Sequence, residues 1–325
     1  AGDIASAISG SFTSGFKLGF NTAETLNTHP TIKSRGAGIY STAASMILHR
    51  CSFTGIKQGA GSTALAAGGN PAVGYGNLCT EKYDGASWSA AAAKINHVSL
   101  GVVKGAGAGS QNAALTFGGA FMYSNETEEY NGSTWAAGGA MITSKQDHGG
   151  AGTQNAALSF CGCTEEYNGT SWAAGGSMLI GRYYIDGVGT QNDALSIGGS
   201  QGYSPTLKNA EHYDGTTWSS RADMVVHRDR TGVFGTTTAA VATGGSPSIT
   251  SVEQYNGISW SADTVLPGAK GDHRAAGTMD DGSVYGGSTV SSTSLTFNYT
   301  QDYIVTASFS KVKATHFQTD EITIT

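Results

Sequence analysis

Charge is scarce in this chain of 325 residues: Asp, Glu, Lys and Arg together make up 13%, about half of the roughly 25% of a typical soluble domain. The net charge is −6, and no basic run is longer than the HRDR stretch at 227–230. The electrostatic footprint of a nucleic-acid binder is therefore missing. No run of about 18 apolar residues occurs, which leaves no segment able to cross a membrane as a helix. A charged head, apolar stretch and cleavage site are also missing from the N-terminal residues, so no signal peptide is expected. Glu, Lys and Leu are too few for long helices. The four cysteines (Cys51, Cys79, Cys161 and Cys163) have neither CxxC nor His-paired spacing, so they predict no metal site and read as free buried thiols, with one disulfide left open.

What the chain has in excess is glycine, 48 residues, about twice the average usage. Gly, Asn and Ser suit a chain of many tight turns. Disorder would explain such a composition, but 39% of the residues are apolar and the aromatics recur at fixed places. A turn-plus-tryptophan phrase occurs five times: YDGASW at 83–88, YNGSTW at 130–135, YNGTSW at 167–172, YDGTTW at 213–218 and YNGISW at 255–260. Its repeated residues are Tyr83 and Trp88, Tyr130 and Trp135, Tyr167 and Trp172, Tyr213 and Trp218, Tyr255 and Trp260. The Trp-to-Trp steps are 47, 37, 46 and 42 residues.

Upstream of each phrase lies a short apolar stretch ending in glycine: ALAAGG at Gly69, ALTFGG at Gly119, ALSFCG at Gly162, ALSIGG at Gly199 and AVATGG at Gly245. A sixth, GSVYGG at Gly287, is followed by SLTFNYTQDYIV and has no Trp. The apolar stretches read as buried strands. The glycine pairs give conformations and close approaches that a side chain prevents. Asp-Gly and Asn-Gly predict type I′ hairpin turns, with Tyr ending one strand and Trp early in the next. The large aromatics are expected to pack between neighbouring units. A period near 40–50 residues with four short strands per unit is that of a β-propeller.

The double glycine, the Tyr and the Trp resemble kelch repeats over about residues 52–300. Four residues separate Tyr from Trp here, against about six in typical kelch units, which implies a shortened hairpin between third and fourth strands. The Asp box of sialidase propellers is a second, partial resemblance, lacking the leading Ser. The expectation is an all-β, kelch-like propeller of about six four-stranded blades, with seven the alternative. Residues 1–51 form an N-terminal β extension or blade-closing segment, and 301–325 a C-terminal β extension or docking strand.

The flanks alternate apolar with small or polar residues, as in SGSFTSGFKLGF at 9–20 and TASFSKVKATHFQTDEITIT at 306–325, the period of strands. Such edge strands seek partners. With the short repeats, the flanks resemble structural proteins of marine tailed bacteriophages, in tail fibres or decorating the particle. The simpler reading is that the ends complete blades.

Candidate chemistry is limited to one polar cluster. Asp147-His148 and Asp272-His273 fall at the same blade position, which places them three blades apart across the channel of a six-blade ring. Arg182, Arg228, Asp229 and Arg230 fall nearby on the same innermost strands. Together they predict a channel mouth able to bind a sugar, a carboxylate or an ion. The plainer alternative is that they satisfy buried carbonyls between blades. No HExxH motif or compact metal-ligand spacing occurs. Copper-radical oxidases on kelch propellers require a Tyr–Cys pair, two His and a second Tyr, and no local motif arranges those parts here.

The expected function is a non-enzymatic virion or extracellular structural or adhesion protein without cofactors. It would display binding loops and dock through its terminal strands to other assembly proteins. A host surface glycan or protein is the expected ligand; nucleic acid and membrane are not, and homo-oligomerisation stays open. The rivals are a capsid decoration protein without host contact and a secreted carbohydrate-active enzyme.

Overall fold

The computed structural model describes residues 38–299, apart from breaks at 48–49, 52, 57–62, 72–77, 96–104, 120–122, 203–204, 247–248 and 288–292. The strand-like flanks at 9–20 and 306–325, with the docking role expected of them, lie outside the described residues. Tyr40–Asn298 form one compact unit.

That unit is an all-β propeller of four-stranded antiparallel sheets. Blade 1 is built from Thr54–Ile56, Ala64–Ala67, Thr80–Tyr83 and Trp88–Ala91. Blade 2 is built from Ala106–Ser110, Ala113–Phe117, Thr127–Tyr130 and Trp135–Ala137. Blade 3 takes Gly149–Gly152, Ala157–Phe160, Thr164–Tyr167 and Trp172–Ala174, and blade 4 Asp186–Gly189, Ala194–Ile197, Ala210–Tyr213 and Trp218–Arg221. Blade 5 comprises Gly232–Thr236, Ala239–Thr243, Val252–Tyr255 and Trp260–Asp263. Five blades, not six, are thus continuous in sequence. The remaining four-stranded sheet is composite: Arg274–Gly277, Asp281–Tyr285 and Thr293–Tyr299 come from the far end, and Gly38–Ser45 adds the outermost strand. Each innermost strand neighbours the next, and the composite sheet's meets that of blade 1. The ring is closed by pairing the two ends of the chain's described stretch in one sheet.

The strands differ in character from axis to rim. Second strands such as Ala64–Ala67, Ala157–Phe160 and Ala194–Ile197 are buried at every residue. They lie between two neighbouring blades, so they read as continuous apolar runs rather than alternations. Fourth strands such as Trp218–Arg221 bury only the Trp. Innermost strands use small residues because the chain crowds at the axis. A side chain on Gly150 would stand 2.9 Å from the Phe117 ring and 3.0 Å from the Ala106 methyl.

The Tyr–Trp phrase joins third to fourth strand, with Tyr83 paired to Trp88 and the same register in all five copies. The expected type I′ turn is not what forms. Only the glycine has positive φ, +95° at Gly85. Four residues span the loop, and the Asp84 carboxylate accepts the Ala86 and Ser87 amides at 2.9 and 2.7 Å. Asn131, Asn168, Asp214 and Asn256 do the same. The side chain supplies the turn-closing acceptor, so its own backbone need not enter the left-handed region.

Three sets of contacts join blade to blade. Trp172 packs tilted against Phe117 of blade 2, ring centroids 4.9 Å apart, and Trp218 against Phe160 of blade 3 at 5.2 Å. Gln111, Gln154 and Gln191, in the first hairpins of blades 2, 3 and 4, each donate to two carbonyls of the preceding blade. Buried Glu128, Glu165, Glu211 and Glu253 accept amides of the incoming connection, from Ile95, Ile142, Leu179 and Val225. They also pair with Lys94 at 3.4 Å, Lys145 at 3.1 Å, Arg182 and Arg228. Removing one partner of such a buried pair costs roughly 3–5 kcal/mol, because a charge is left uncompensated.

One junction lacks its tie. The Trp135, Trp172 and Trp218 indoles donate to Thr80, Thr127 and Thr164, the first residue of the preceding blade's third strand, at 3.1, 3.0 and 2.9 Å. Blade 4 has Ala210 there, and the buried Trp260 Nε1 has no acceptor among the described residues. Ala210→Thr should therefore raise the unfolding free energy by about 1 kcal/mol. Urea denaturation of both proteins checks this; an unchanged or lowered midpoint would show that the site has no room for the hydroxyl.

Candidate ligand-binding mouth

In a four-stranded meander, the connection entering each blade and the loop after its second strand emerge at one end of the ring. All the predicted site residues lie on the entering connections. The structure sorts them into three environments.

Arg182 and Arg228 are not at the mouth. They are 1% and 0% exposed, run inward to Glu211 and Glu253, and donate to main-chain carbonyls. The carbonyls they reach, of Ile180 for Arg182 and of Gly244 and Ser251 for Arg228, belong to the same connection or to the blade it enters.

His148 and His273 are also interior. The His148 ring packs 5.7 Å from Phe117, and it fits because Gly118 has no side chain: a Cβ there would stand 2.5 Å from Cε1. His273 Nε2 accepts the Gly232 amide at 3.1 Å and lies 2.9 Å from the Thr243 hydroxyl. Burial, together with Lys270, Arg274 and Arg228, pushes the His273 imidazole down to about 3. Asp229 is buried between Ser200 and Ser246, and burial raises its carboxyl above the usual range.

Asp147, Arg230 and Asp272 form the third group, and the structure adds Tyr184, which carried no chemical or repeat signal in the sequence. Each stands two residues before an innermost strand, in blades 3, 5, 6 and 4 respectively, taking the composite sheet as 6. Their φ angles are +53°, +53°, +53° and +56°. Non-glycine residues avoid this region, at a cost of roughly 1–3 kcal/mol each. A belt of main-chain hydrogen bonds holds them there. Tyr184 N–H donates to Asp147 O at 2.6 Å, Arg230 to Tyr184 at 2.9 Å, and Asp272 to Arg230 at 3.2 Å.

All four side chains are half-buried at the end of the axis. The Arg230 guanidinium lies 4.1 Å over the Tyr184 ring and 3.6 Å from the Asp272 carboxylate. Next to this group, Tyr123 and Tyr183 are 52% and 42% exposed. Tyr183 lies close enough to Cys161, Tyr123 and Cys163 that burial, then these neighbours, raise its hydroxyl pKa. Cys79, Cys161 and Cys163 are free thiols, as expected, but Cys79 and Cys163 are exposed rather than buried, and Cys161 and Cys163 sit in a loop.

The arrangement offers planar faces, fixed donors and fixed acceptors. Gly198–Gly202 has the GxSxG spacing, yet Ser200 is buried, donates to Gly202 O and precedes no helix. Among the described residues, no three His, Cys, Asp or Glu side chains converge on a metal position.

The His273 environment fixes a pH dependence. The folded-state value lies far below the ordinary 6.5, so between about pH 6.5 and 3 the unfolded chain binds the extra proton. Stability from this group is complete above 6.5 and falls as pH drops, by at most about 1.4 kcal/mol per unit. His273→Asn should flatten the slope of unfolding free energy against pH between 6 and 4 relative to wild type. Equal slopes in the two proteins would remove the assignment.

No family model and no curated protein matches the chain. Among solved structures, that of YjhT superposes with a TM-score of 0.64 over 78% of this chain and 94% of its own, at 13% identity. At that identity the likeness concerns the propeller fold alone.

Proposed function

We propose that this is a non-enzymatic binding protein of a virion or an extracellular structure, and that the axial mouth takes a carbohydrate. The observation that carries this reading is the convergence of Asp147, Tyr184, Arg230 and Asp272 at one end of the ring. Their strained main chain is held by the belt, their side chains are half-open to solvent, and Tyr123 and Tyr183 stand beside them. Sugars are bound by apolar faces stacked on aromatic rings and by hydroxyls paired with fixed polar groups. Arg230, locked between Tyr184 and Asp272, has the preorganisation such a site needs. The kelch-like phrase and the phage-like flanks support a display role, with ends attached to a larger assembly.

One observation favours an assembly-docking role, as in a decoration protein. Ile47, Ile95, Ile142, Leu179 and Val225 occupy equivalent positions in successive connections and are 50–61% exposed. Their amides at the same positions are held by the buried glutamates, so the apolar side chains are presented rigidly on the mouth face. Apolar groups fixed in this way suit a protein partner.

A glycan array probed with the full chain should show binding, weakened tenfold or more (about 1.4 kcal/mol) by Tyr184→Ala, Arg230→Ala or Asp272→Asn. An array without hits, or hits untouched by all three changes, would reject the mouth as a glycan site. Ile142→Ser with Leu179→Ser should reduce co-sedimentation with the native particles while leaving any glycan binding intact. Unchanged co-sedimentation would reject the docking reading.

A further inference from the structure

The connection between the second and third strands of blade 3 differs from its equivalents. It consists of Cys161, Gly162 and Cys163 alone, between Phe160 and Thr164, which pair directly. The same connection occupies 118–126 in blade 2, 198–209 in blade 4 and 244–251 in blade 5. Those begin with a glycine at positive φ, +62° at Gly118, +63° at Gly198 and +55° at Gly244. Blade 3 has Cys161 at that position. The short hairpin thus sets two thiols on either side of one residue that has no side chain to stand between them.

Neighbouring elements hold every carbonyl of this loop. Cys161 O accepts the Arg182 amide at 2.6 Å, Gly162 O the Met178 amide at 2.9 Å, and Cys163 O the Lys145 ammonium at 3.3 Å. Lys145 is itself buried and fixed by Glu165 at 3.1 Å. A fully extended span of two residues is about 7 Å, and a disulfide bridges Cα atoms roughly 4.4–6.8 Å apart. The chain bends at Cys161, Gly162 and Cys163, which shortens the span from that limit. The two thiols differ in their surroundings. Cys161 is half-buried against Phe160, Met178 and Ile185, whereas Cys163 is exposed. Burial, opposed by Lys145, pushes the Cys161 thiol up to about 11, and the adjacent Cys163 adds to the rise through its charge and a side-chain hydrogen bond.

We propose that Cys161 and Cys163 form a dithiol site that exchanges with small-molecule disulfides such as glutathione disulfide and closes to an internal Cys161–Cys163 bond. The exposed Cys163 thiolate attacks the incoming disulfide, forms a mixed disulfide and releases one glutathione thiolate. Cys161 then gives its proton to solvent, and its sulfur displaces the second glutathione from Cys163. The protein loses two S–H bonds and gains one S–S bond, while the oxidant's S–S bond becomes two glutathione thiols. A thiol of high pKa is a strong nucleophile once deprotonated and a poor leaving group, so the setting of Cys161 favours the closed form. The pinned carbonyls keep the second thiol at a high effective concentration. This site does not depend on the mouth binding sugar.

The full chain, reduced and then equilibrated under native conditions with glutathione and glutathione disulfide, tests it by intact mass and peptide mapping. The expected product has lost two hydrogens at Cys161 and Cys163 and is restored by dithiothreitol. Cys161→Ser should instead accumulate the glutathione adduct on Cys163. The equilibrium constant for closure should be roughly tenfold or more larger in the native protein than in the same chain unfolded in urea, where nothing holds the three carbonyls. A stable glutathione adduct on the wild-type chain, a bond to Cys79, or an equal or smaller constant in the native protein would overturn the proposal.

Discussion

The structure depends on sheets that have to be buried on both faces. A single blade with an apolar second strand such as Ala64–Ala67 has no stable solvent-facing side. Only a neighbour on each flank covers it, and a ring is the arrangement that gives every blade two neighbours. The contacts between blades follow from that requirement. Trp reaches back to a Thr, Gln to a pair of carbonyls, and Glu collects the amides of the incoming connection. Each contact satisfies polar groups that burial would otherwise strand. Where an element of the set is missing, as at Ala210, a buried donor is left without its acceptor.

The same constraint shapes the site. Crowding at the axis makes the innermost strands small, so their side chains cannot build a pocket. Large polar side chains appear only where the chain turns into each blade, and there the belt of main-chain hydrogen bonds forces them into the left-handed region. Asp147, Tyr184, Arg230 and Asp272 are therefore presented by a rigid scaffold with little freedom to rearrange. His273 and Asp229, whose ionisation burial shifts, are sealed below the surface.

Much of this was legible in the residues. The five Tyr–Trp phrases gave the third and fourth strands, and the glycine doublets marked the ends of the second strands. Other features were not. The Asn/Asp-Gly pairs look like two-residue hairpins, but nothing local says that the side chain will close a four-residue loop. Arg182, Arg228 and Arg230 look alike along the chain. Two of them meet buried glutamates whose positions, 29 and 25 residues later, become neighbours only when the sheet folds. Tyr184 carries no repeat signal, because aspartate, tyrosine and arginine all serve at its position, where the shared property is a backbone angle.

By itself, the sequence determined the fold class, the pairing of third with fourth strands through the Tyr–Trp phrase, and the placing of large aromatics between blades. These rest on local turn chemistry and on periodicity, which are properties of adjacent residues. Only the tertiary structure decided which strand closes the ring, which polar residues are interior and which face solvent. Those outcomes depend on distances between residues in different blades, and such distances exist only once the circle is complete.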